Sequence, residues 1–136
     1  MSSTTNYLVD TDIVIYWLTN KYPCLQQRIE TIGADRIWLS AITIAELYFG
    51  AGNSARPFEN CGLLDELLVE IQVIPFTERT GLVFGRIKAA LKKKGEILND
   101  SDLFIAATAI SRNLTLVTNN VRHFQRIAEL RIEQWI

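Results

Sequence analysis

The sequence predicts an α/β domain in which helices cover both faces of a central parallel sheet, a three-layer α/β/α sandwich. The first observation is that short apolar runs alternate with longer segments of helical periodicity along the chain. The second is that an apolar run, an acid and a helical segment follow one another at the start, as in the first half of a β-α-β unit. The third is that 136 residues, 49% of them hydrophobic, suit one core, so we expect a single domain over residues 1–136.

The first half of the chain is predicted to contain two strands, each followed by helix. Residues 7–9 form an apolar run that stops at Asp10, which is typical of a buried strand. Apolar side chains then recur at helical spacing until Pro23 interrupts them. The predicted elements are a strand at 7–9, helices at 13–18 and 25–32, a strand at 36–40 and a helix at 41–49.

The second half repeats this alternation after a polar connection at 53–60. Its longest helical pattern begins at Thr77, a good cap, and stops at Gly95. An Ala-rich helix follows, and then a strand that runs into two asparagines. The predicted elements are helices at 63–71, 77–94 and 100–112 and strands at 73–74, 114–118 and 131–135.

Composition narrows the class of protein. The net charge is -1, so a nucleic-acid partner would have to be held by a local basic patch. Cys24 and Cys61 lack metal-ligand or redox spacing, which favours reduced thiols and excludes a disulfide framework. No signal peptide is apparent, and no apolar run reaches the roughly 18 residues of a membrane span. We therefore expect a cytoplasmic protein with no membrane partner.

Acidic and amide side chains follow the predicted strands. Asp10 ends the first strand, and Glu46 lies in the first turns of the helix after the second. Asp102 begins the helix that leads to the strand at 114–118, and Asn120 leaves that strand. Parallel strands bring their carboxyl ends to one edge of a sheet. We therefore expect three carboxylates and an amide to face one pocket.

These acids also have purely structural interpretations. Asp100 and Asp102 stand where a carboxylate caps a helix, and Thr43 with Glu46 matches a T-x-x-E capping box, which leaves that role open. Two carboxylates about 4 Å apart, however, repel by roughly 4 kcal/mol at an effective dielectric of 20, so three together need a proton or a cation. Oxygen ligands favour Mg²⁺ or Mn²⁺ over Zn²⁺, and Mg²⁺ commonly completes its shell with substrate phosphate. Phosphoester hydrolysis is the predicted chemistry.

Four sequence blocks make the chain resemble the PIN-domain nucleases and, within them, the VapC-type toxins of prokaryotic toxin–antitoxin pairs. The blocks are YLVDTD at 7–12, SAITIAEL at 40–47, DLFIAATA at 102–109 and LVTNNVRHF at 116–124. The resemblance spans almost the whole chain and implies an α/β/α fold. It also implies Mg²⁺- or Mn²⁺-dependent endoribonuclease activity on RNA, inhibition by a cognate antitoxin, and a homodimer. Its acidic metal ligands fall on Asp10, Glu46 and Asp102.

One position departs from the family pattern. Many relatives carry a fourth acid where this chain has Asn120, which offers a neutral carbonyl to the catalytic set. A second cation would then be held more weakly, and Asp12 and Asp100 are the secondary ligand candidates. Thr11 and Thr118 are hydroxyl candidates for positioning water or phosphate, or they satisfy backbone groups at strand ends.

Histidine and basic side chains complete the candidate list. His123, the one histidine, lies beyond the last long strand, where we expect helix-start packing or a backbone contact rather than catalysis. Basic side chains are candidates for phosphate contacts, although a lysine-rich helix end is usually a solvated cap. They are Arg86, Lys88, Lys92, Lys93, Lys94, Arg122 and Arg126.

Two other functions fit parts of the sequence. A phosphatase of the haloacid-dehalogenase type also has an apolar strand ending in D-x-D, here Asp10 and Asp12, but it would leave Glu46 unused and Ile13 leaves no room for a flap. A catalytically weak PIN-fold binding module is the other alternative. Asn120 gives it weight, and aromatic side chains supply its candidate interface. They are Tyr16, Trp17, Tyr48 and Phe49.

Overall fold

The structure, a computed structural model, describes residues 4–136 as alternating strands and helices. The strands are β1 (Tyr7–Val9), β2 (Ile37–Ser40), β3 (Gln72–Ile74), β4 (Thr115–Val117) and β5 (Ile132–Glu133). The helices are α1 (Thr11–Leu18), α2 (Pro23–Ile32), α3 (Ala41–Gly52), α4 (Pro57–Glu70), α5 (Glu78–Lys94), α6 (Asp100–Ser111) and α7 (Val121–Phe124). Among the described residues, no helix has the length and apolar character needed to cross a lipid bilayer.

The strands form one parallel sheet in the order β3-β2-β1-β4-β5. The first strand of the chain therefore lies at the centre, and the order reverses on either side of it. All carboxyl ends meet at one edge, where the loops after β1, β2 and β4 are neighbours. The predicted α/β/α fold with a central parallel sheet is confirmed.

Helices cover both faces because the strands are apolar on both sides. In β1, Leu8 packs into the core formed with α5 and α6, whereas Tyr7 and Val9 pack into the core formed with α1 to α4. This alternation follows from the two-residue period of a strand. Both cores share the same sheet. That one domain spans residues 1–136 stays a prediction.

Three helices begin earlier than predicted: α1 begins at Thr11, because Asp10 caps it, and the other two begin at prolines. Pro23, predicted as an interruption, is the first residue of α2, and α4 begins at Pro57 inside the predicted polar connection at 53–60. Proline suits the first helical position because its missing N–H would be unpaired there anyway. The predicted ends of α5 are confirmed: Thr77 caps it, and Gly95 follows it with a φ of 71°.

Candidate active site

Asp10 follows the central strand directly and is 7% exposed. Its Oδ1 accepts the Thr11 N–H at 2.8 Å, which caps α1, and its Oδ2 accepts the Thr118 hydroxyl at 2.7 Å. Burial, followed by the negative charges of Asp102 and Asp12, raises the pKa of Asp10 to about 6, although the two hydrogen bonds lower it. The structure therefore fixes Asp10 firmly and surrounds it with uncompensated negative charge.

Thr118 links Asp10 to the loop after β4. Its fully buried hydroxyl donates to Asp10 and accepts the Asn120 N–H at 3.0 Å. Asn120 stands at the N-cap of α7 but makes no capping bond with its side chain. Its amide group is therefore not consumed by helix capping, and the backbone of this loop is tied to Asp10 through one hydroxyl.

Glu46 is joined to α1 rather than to its own helix start. The N-cap of α3 is Ser40, whose Oγ accepts the Thr43 N–H at 3.0 Å, so the capping-box interpretation of Thr43 and Glu46 is wrong. The helix begins one turn earlier than that interpretation requires. Glu46 Oε1 instead accepts the Thr11 hydroxyl at 2.7 Å. This bond brings the carboxylate beside the residue that follows Asp10.

Asp102 occupies the first turn of α6, half buried. The N-cap of α6 is Asn99, which accepts the Asp102 N–H at 2.8 Å and donates from Nδ2 to Asp102 Oδ2 at 3.1 Å. Burial raises the pKa of Asp102, as does the charge of Glu46, whereas the Asn99 hydrogen bond lowers it. The charge of Asp102 in turn raises the pKa of Asp10, so these carboxylates interact across separate elements.

The two acids at the start of α6 have separate surroundings. Asp100 is exposed and pairs with Lys88 at 2.9 Å, so the alternative cap role for Asp100 is wrong because Asn99 fills that position. Asp12, in the first turn of α1, is close enough to raise the pKa values of both Asp10 and Asp102. Of the two secondary ligand candidates, Asp12 therefore lies in the electrostatic field of the site.

His123 lies closer to the acids than the sequence suggested. It is exposed in α7, so the predicted packing role is wrong, and its charge lowers the pKa of Asp102. The sequence could have indicated this nearness, because His123 lies five residues after Thr118, just beyond a strand in the central part of the sheet.

The basic candidates divide into paired and solvent-facing side chains. Arg86 makes two hydrogen bonds to Glu129, and Arg126 donates to the Ile97 carbonyl oxygen at 3.1 Å. Lys88 is held by Asp100, as described above. The last turn of α5 is exposed and complements the helix dipole with three lysines, which leaves their ammonium groups available to a polyanion. They are Lys92, Lys93 and Lys94.

The carboxylates of Asp10, Glu46 and Asp102 do not converge on one position that a metal ion could occupy. Within residues 4–136, no three histidine, cysteine, aspartate or glutamate side chains are gathered closely enough to hold one metal ion as they stand. Thr11 holds Glu46 and Asn99 holds Asp102, while like charges oppose their approach. The donor set nevertheless suits a hard divalent cation, because it is made of carboxylate oxygen atoms and the neighbouring negative charges raise the pKa values of Asp10 and Asp102.

Comparison with protein families and curated proteins gives consistent matches over nearly the whole chain. The PIN domain family model matches residues 7–130. Ribonuclease VapC2 of Haemophilus influenzae is 37% identical over 130 residues, which cover 96% of this chain and 98% of that protein. The tRNA(fMet)-specific endonuclease VapC of Salmonella typhimurium is 33% identical over 129 residues, covering 95% of this chain and 97% of its own length.

Solved structures agree with these matches. VapBC2 from Rickettsia felis, bound to a DNA fragment from its promoter, contains a chain with a TM-score of 0.90 and 33% identity, covering 97% of this chain and 100% of that one. DNA-bound VapBC from Salmonella typhimurium gives a TM-score of 0.91 and 32% identity, with 97% and 99% covered. The sheet and helices described above are therefore shared with these chains from end to end.

Proposed function

The chain belongs to the PIN domain family, and we propose that it is an endoribonuclease, dependent on Mg²⁺ or Mn²⁺, that acts as the toxin of a toxin–antitoxin pair. The observation that carries this proposal is that Asp10, Glu46 and Asp102 lie at the carboxyl edge of the sheet and interact through their charges. They come from three different elements, and hydrogen bonds from Thr118, Thr11 and Asn99 hold them in turn. The names of the VapC relatives add ribonuclease activity to this chemistry.

The residues of this chain supply oxygen ligands for a cation, and the burial of Asp10 keeps solvent away from part of the site. Asp10, Glu46 and Asp102 would hold the cation, with the carbonyl group of Asn120 and the carboxylate of Asp12 nearby. A bound divalent cation would supply the positive charge that polarises a phosphate and makes a water molecule more acidic. Burial of Asp10 strengthens its charge interactions, because the local dielectric is low. Asn120 contributes no charge, so the set suits one firmly held cation better than two.

RNA would meet the site beside a cationic helix end. With a net charge of -1 over the whole chain, phosphate contacts must be local, and the exposed lysines that end α5 are suitable. Arg122 and His123 on α7 would contact RNA nearer the acids. The VapBC complexes among the related structures support an antitoxin partner. The homodimer and the cytoplasmic location rest on the family resemblance.

The structure disfavours both alternative functions, the phosphatase and the binding module. A phosphatase of the haloacid-dehalogenase type needs an insertion after the D-x-D strand, but α1 begins at Thr11. A binding module would expose its aromatic side chains, yet three of the four named candidates pack against the core. Phe49 is the exception, at 73% exposure.

RNA cleavage by the purified chain tests the proposal. We expect cleavage with Mg²⁺ or Mn²⁺, its loss on chelation, and a fall of roughly a thousandfold in Asp10→Asn, because a cation contributes several kcal/mol to the transition state. Asp35→Asn is the matched control, since Asp35 is exposed just before β2, at the opposite edge of the sheet. Hydrolysis of a small phosphomonoester without RNA cleavage would favour the phosphatase. No cleavage with either cation would favour the binding module.

A further inference from the structure

A chain of hydroxyl groups runs from the start of α3 to the Glu46 carboxylate. Ser40 Oγ lies 3.2 Å from Thr43 Oγ1, and Thr43 Oγ1 lies 3.1 Å from Thr11 Oγ1. Thr11 Oγ1 in turn lies 2.7 Å from Glu46 Oε1. Ser40 and Thr43 are fully buried. We call Ser40, Thr43 and Thr11 the hydroxyl chain.

Proton counting gives the hydroxyl chain one direction. Each hydroxyl has a single proton, and Glu46 can only accept when ionised, so the Thr11 proton points to Glu46. Thr11 Oγ1 is placed to donate to both Glu46 and Thr43, but its single proton goes to the nearer, charged oxygen, so the Thr43 hydroxyl donates to Thr11. Ser40 donates to Thr43, since Ser40 Oγ already accepts the Thr43 backbone N–H at 3.0 Å. The four bonds therefore align head to tail and end on the carboxylate.

We propose that the hydroxyl chain is a positioning device that fixes one oxygen of Glu46 and leaves the other, Oε2, to bind the catalytic cation. The proposal rests on the proposed function and deepens it. Aligned hydroxyls polarise one another, so each strengthens the next bond, and the last bond is short and charge-assisted. The hydroxyl chain also joins α3 to the first residue of α1, and this link keeps Glu46 at a set distance from Asp10.

Helix capping alone does not explain this arrangement. The N-cap of α3 is already satisfied by Ser40 Oγ and the Thr43 N–H, which needs neither the Thr43 hydroxyl nor Thr11. Helix α5 provides the comparison within the same protein. Thr80 there is also buried at the third helical position and pairs with the hydroxyl of its cap, Thr77, but that pair stays within one helix start. The hydroxyl chain differs because it crosses to α1 and ends on a carboxylate.

Mn²⁺ binding to metal-free protein, measured by titration calorimetry, tests the device without RNA. We expect Thr11→Val to weaken Mn²⁺ binding about three- to tenfold, since it removes the bond to Glu46. Thr43→Val should weaken it about two- to threefold, because it removes only the polarising neighbour. Thr11→Ser and Thr43→Ser keep the hydroxyl and should bind as the wild type does. Thr80→Val is the matched control for loss of a buried threonine hydroxyl at a helix start, and it should leave Mn²⁺ affinity unchanged.

The double variant separates a connected device from two independent structural effects. Once Thr11→Val has cut the link to Glu46, Thr43→Val should weaken Mn²⁺ binding no further, so the two effects are not additive. Additive losses, or a Thr43→Val protein that binds Mn²⁺ as the wild type does, would overturn the proposal. A wild-type protein that binds Mn²⁺ but leaves RNA intact contradicts the proposed function alone, since the affinities still test the hydroxyl chain. A wild-type protein that binds no Mn²⁺ overturns both.

Discussion

Asp10 and the acids at the start of α6 are the same kind of side chain in two different settings. Asp10 follows a central strand, is 7% exposed, and is held by Thr118, which lies 108 residues away in sequence. Asp102 stands half buried in the first turn of a helix and is held by Asn99, three residues before it. Asp10 caps α1 and is also fixed by a tertiary contact, whereas Asp102 is held by the local cap residue Asn99.

The difference between the surroundings of Asp10 and Asp102 gives the two carboxylates different roles in the acidic site. A carboxylate buried at a strand end keeps its position in the absence of a cation, but its charge is costly there. A carboxylate on a helix start is stabilised by the dipole and keeps access to solvent. We therefore expect Asp10 to set the position of the site and the carboxylate of Asp102 to adjust when a cation binds.

Separating Asp102 from Asp100 gives the largest expected effect. Asp102→Asn should lower RNA cleavage by roughly a thousandfold, because it removes charge that faces Asp10 and Glu46. Asp100→Asn should lower it no more than about threefold, since exposed ion pairs such as Asp100 with Lys88 contribute little. Cleavage rates at saturating Mg²⁺ measure both. Equal and complete loss in the two variants, with folding intact, would show that the acids of α6 act as one group.

The burial of Asp10 predicts a pH dependence of stability in the metal-free protein. Its pKa is 3.8 in its ordinary state and about 6 in the folded chain, so the folded chain binds the proton more tightly. The resulting stabilisation is complete below pH 3.8 and is lost as the pH rises through about 6, at a cost of about 3 kcal/mol. Asp10→Asn removes this charge and should be more stable than the wild type at pH 7.

Urea denaturation at pH 4.5 and pH 7.5 measures this effect. The gain in unfolding free energy from Asp10→Asn should be larger at the higher pH. Asp102→Asn, half buried, should show the same trend with a smaller amplitude, because burial and Glu46 also raise the pKa of that carboxyl group. A gain in unfolding free energy that does not depend on pH, or that is larger for Asp102→Asn than for Asp10→Asn, would contradict the contrast between these two acids.

Much of the fold was predictable because it follows from local patterns. Apolar runs and helical spacing predicted the parallel sheet, and Thr77 and Gly95 marked the ends of α5. The acids could be placed at one edge because parallel strands share a direction. The starts of α2 and α4 were missed because Pro23 was treated as an interruption and Pro57 as part of a polar connection, although proline is favoured at the first helical position.

The remaining features depend on contacts between distant segments. The T-x-x-E match at Glu46 is a local pattern, but the bond that forms goes to Thr11, 35 residues earlier. The same holds for His123, whose charge lowers the pKa of Asp102 although the two side chains lie on different helices. Sequence spacing identifies which side chains can serve a site. It does not identify their hydrogen-bond partners when these lie on other elements.

Asn120 offers the smallest test of the comparison, since it joins the strand-end side of the site through Thr118. Asn120→Asp adds a negative charge to a half-buried position and should tighten Mn²⁺ binding about threefold to tenfold, because affinity rises with the number of charged ligands. The gain stays modest because the new charge also repels Asp10. Asn119→Asp is the control, with the same charge on the exposed neighbour. Calorimetric titration with Mn²⁺ compares the two, and equal affinities would mean that Asn120 takes no part in the acidic set.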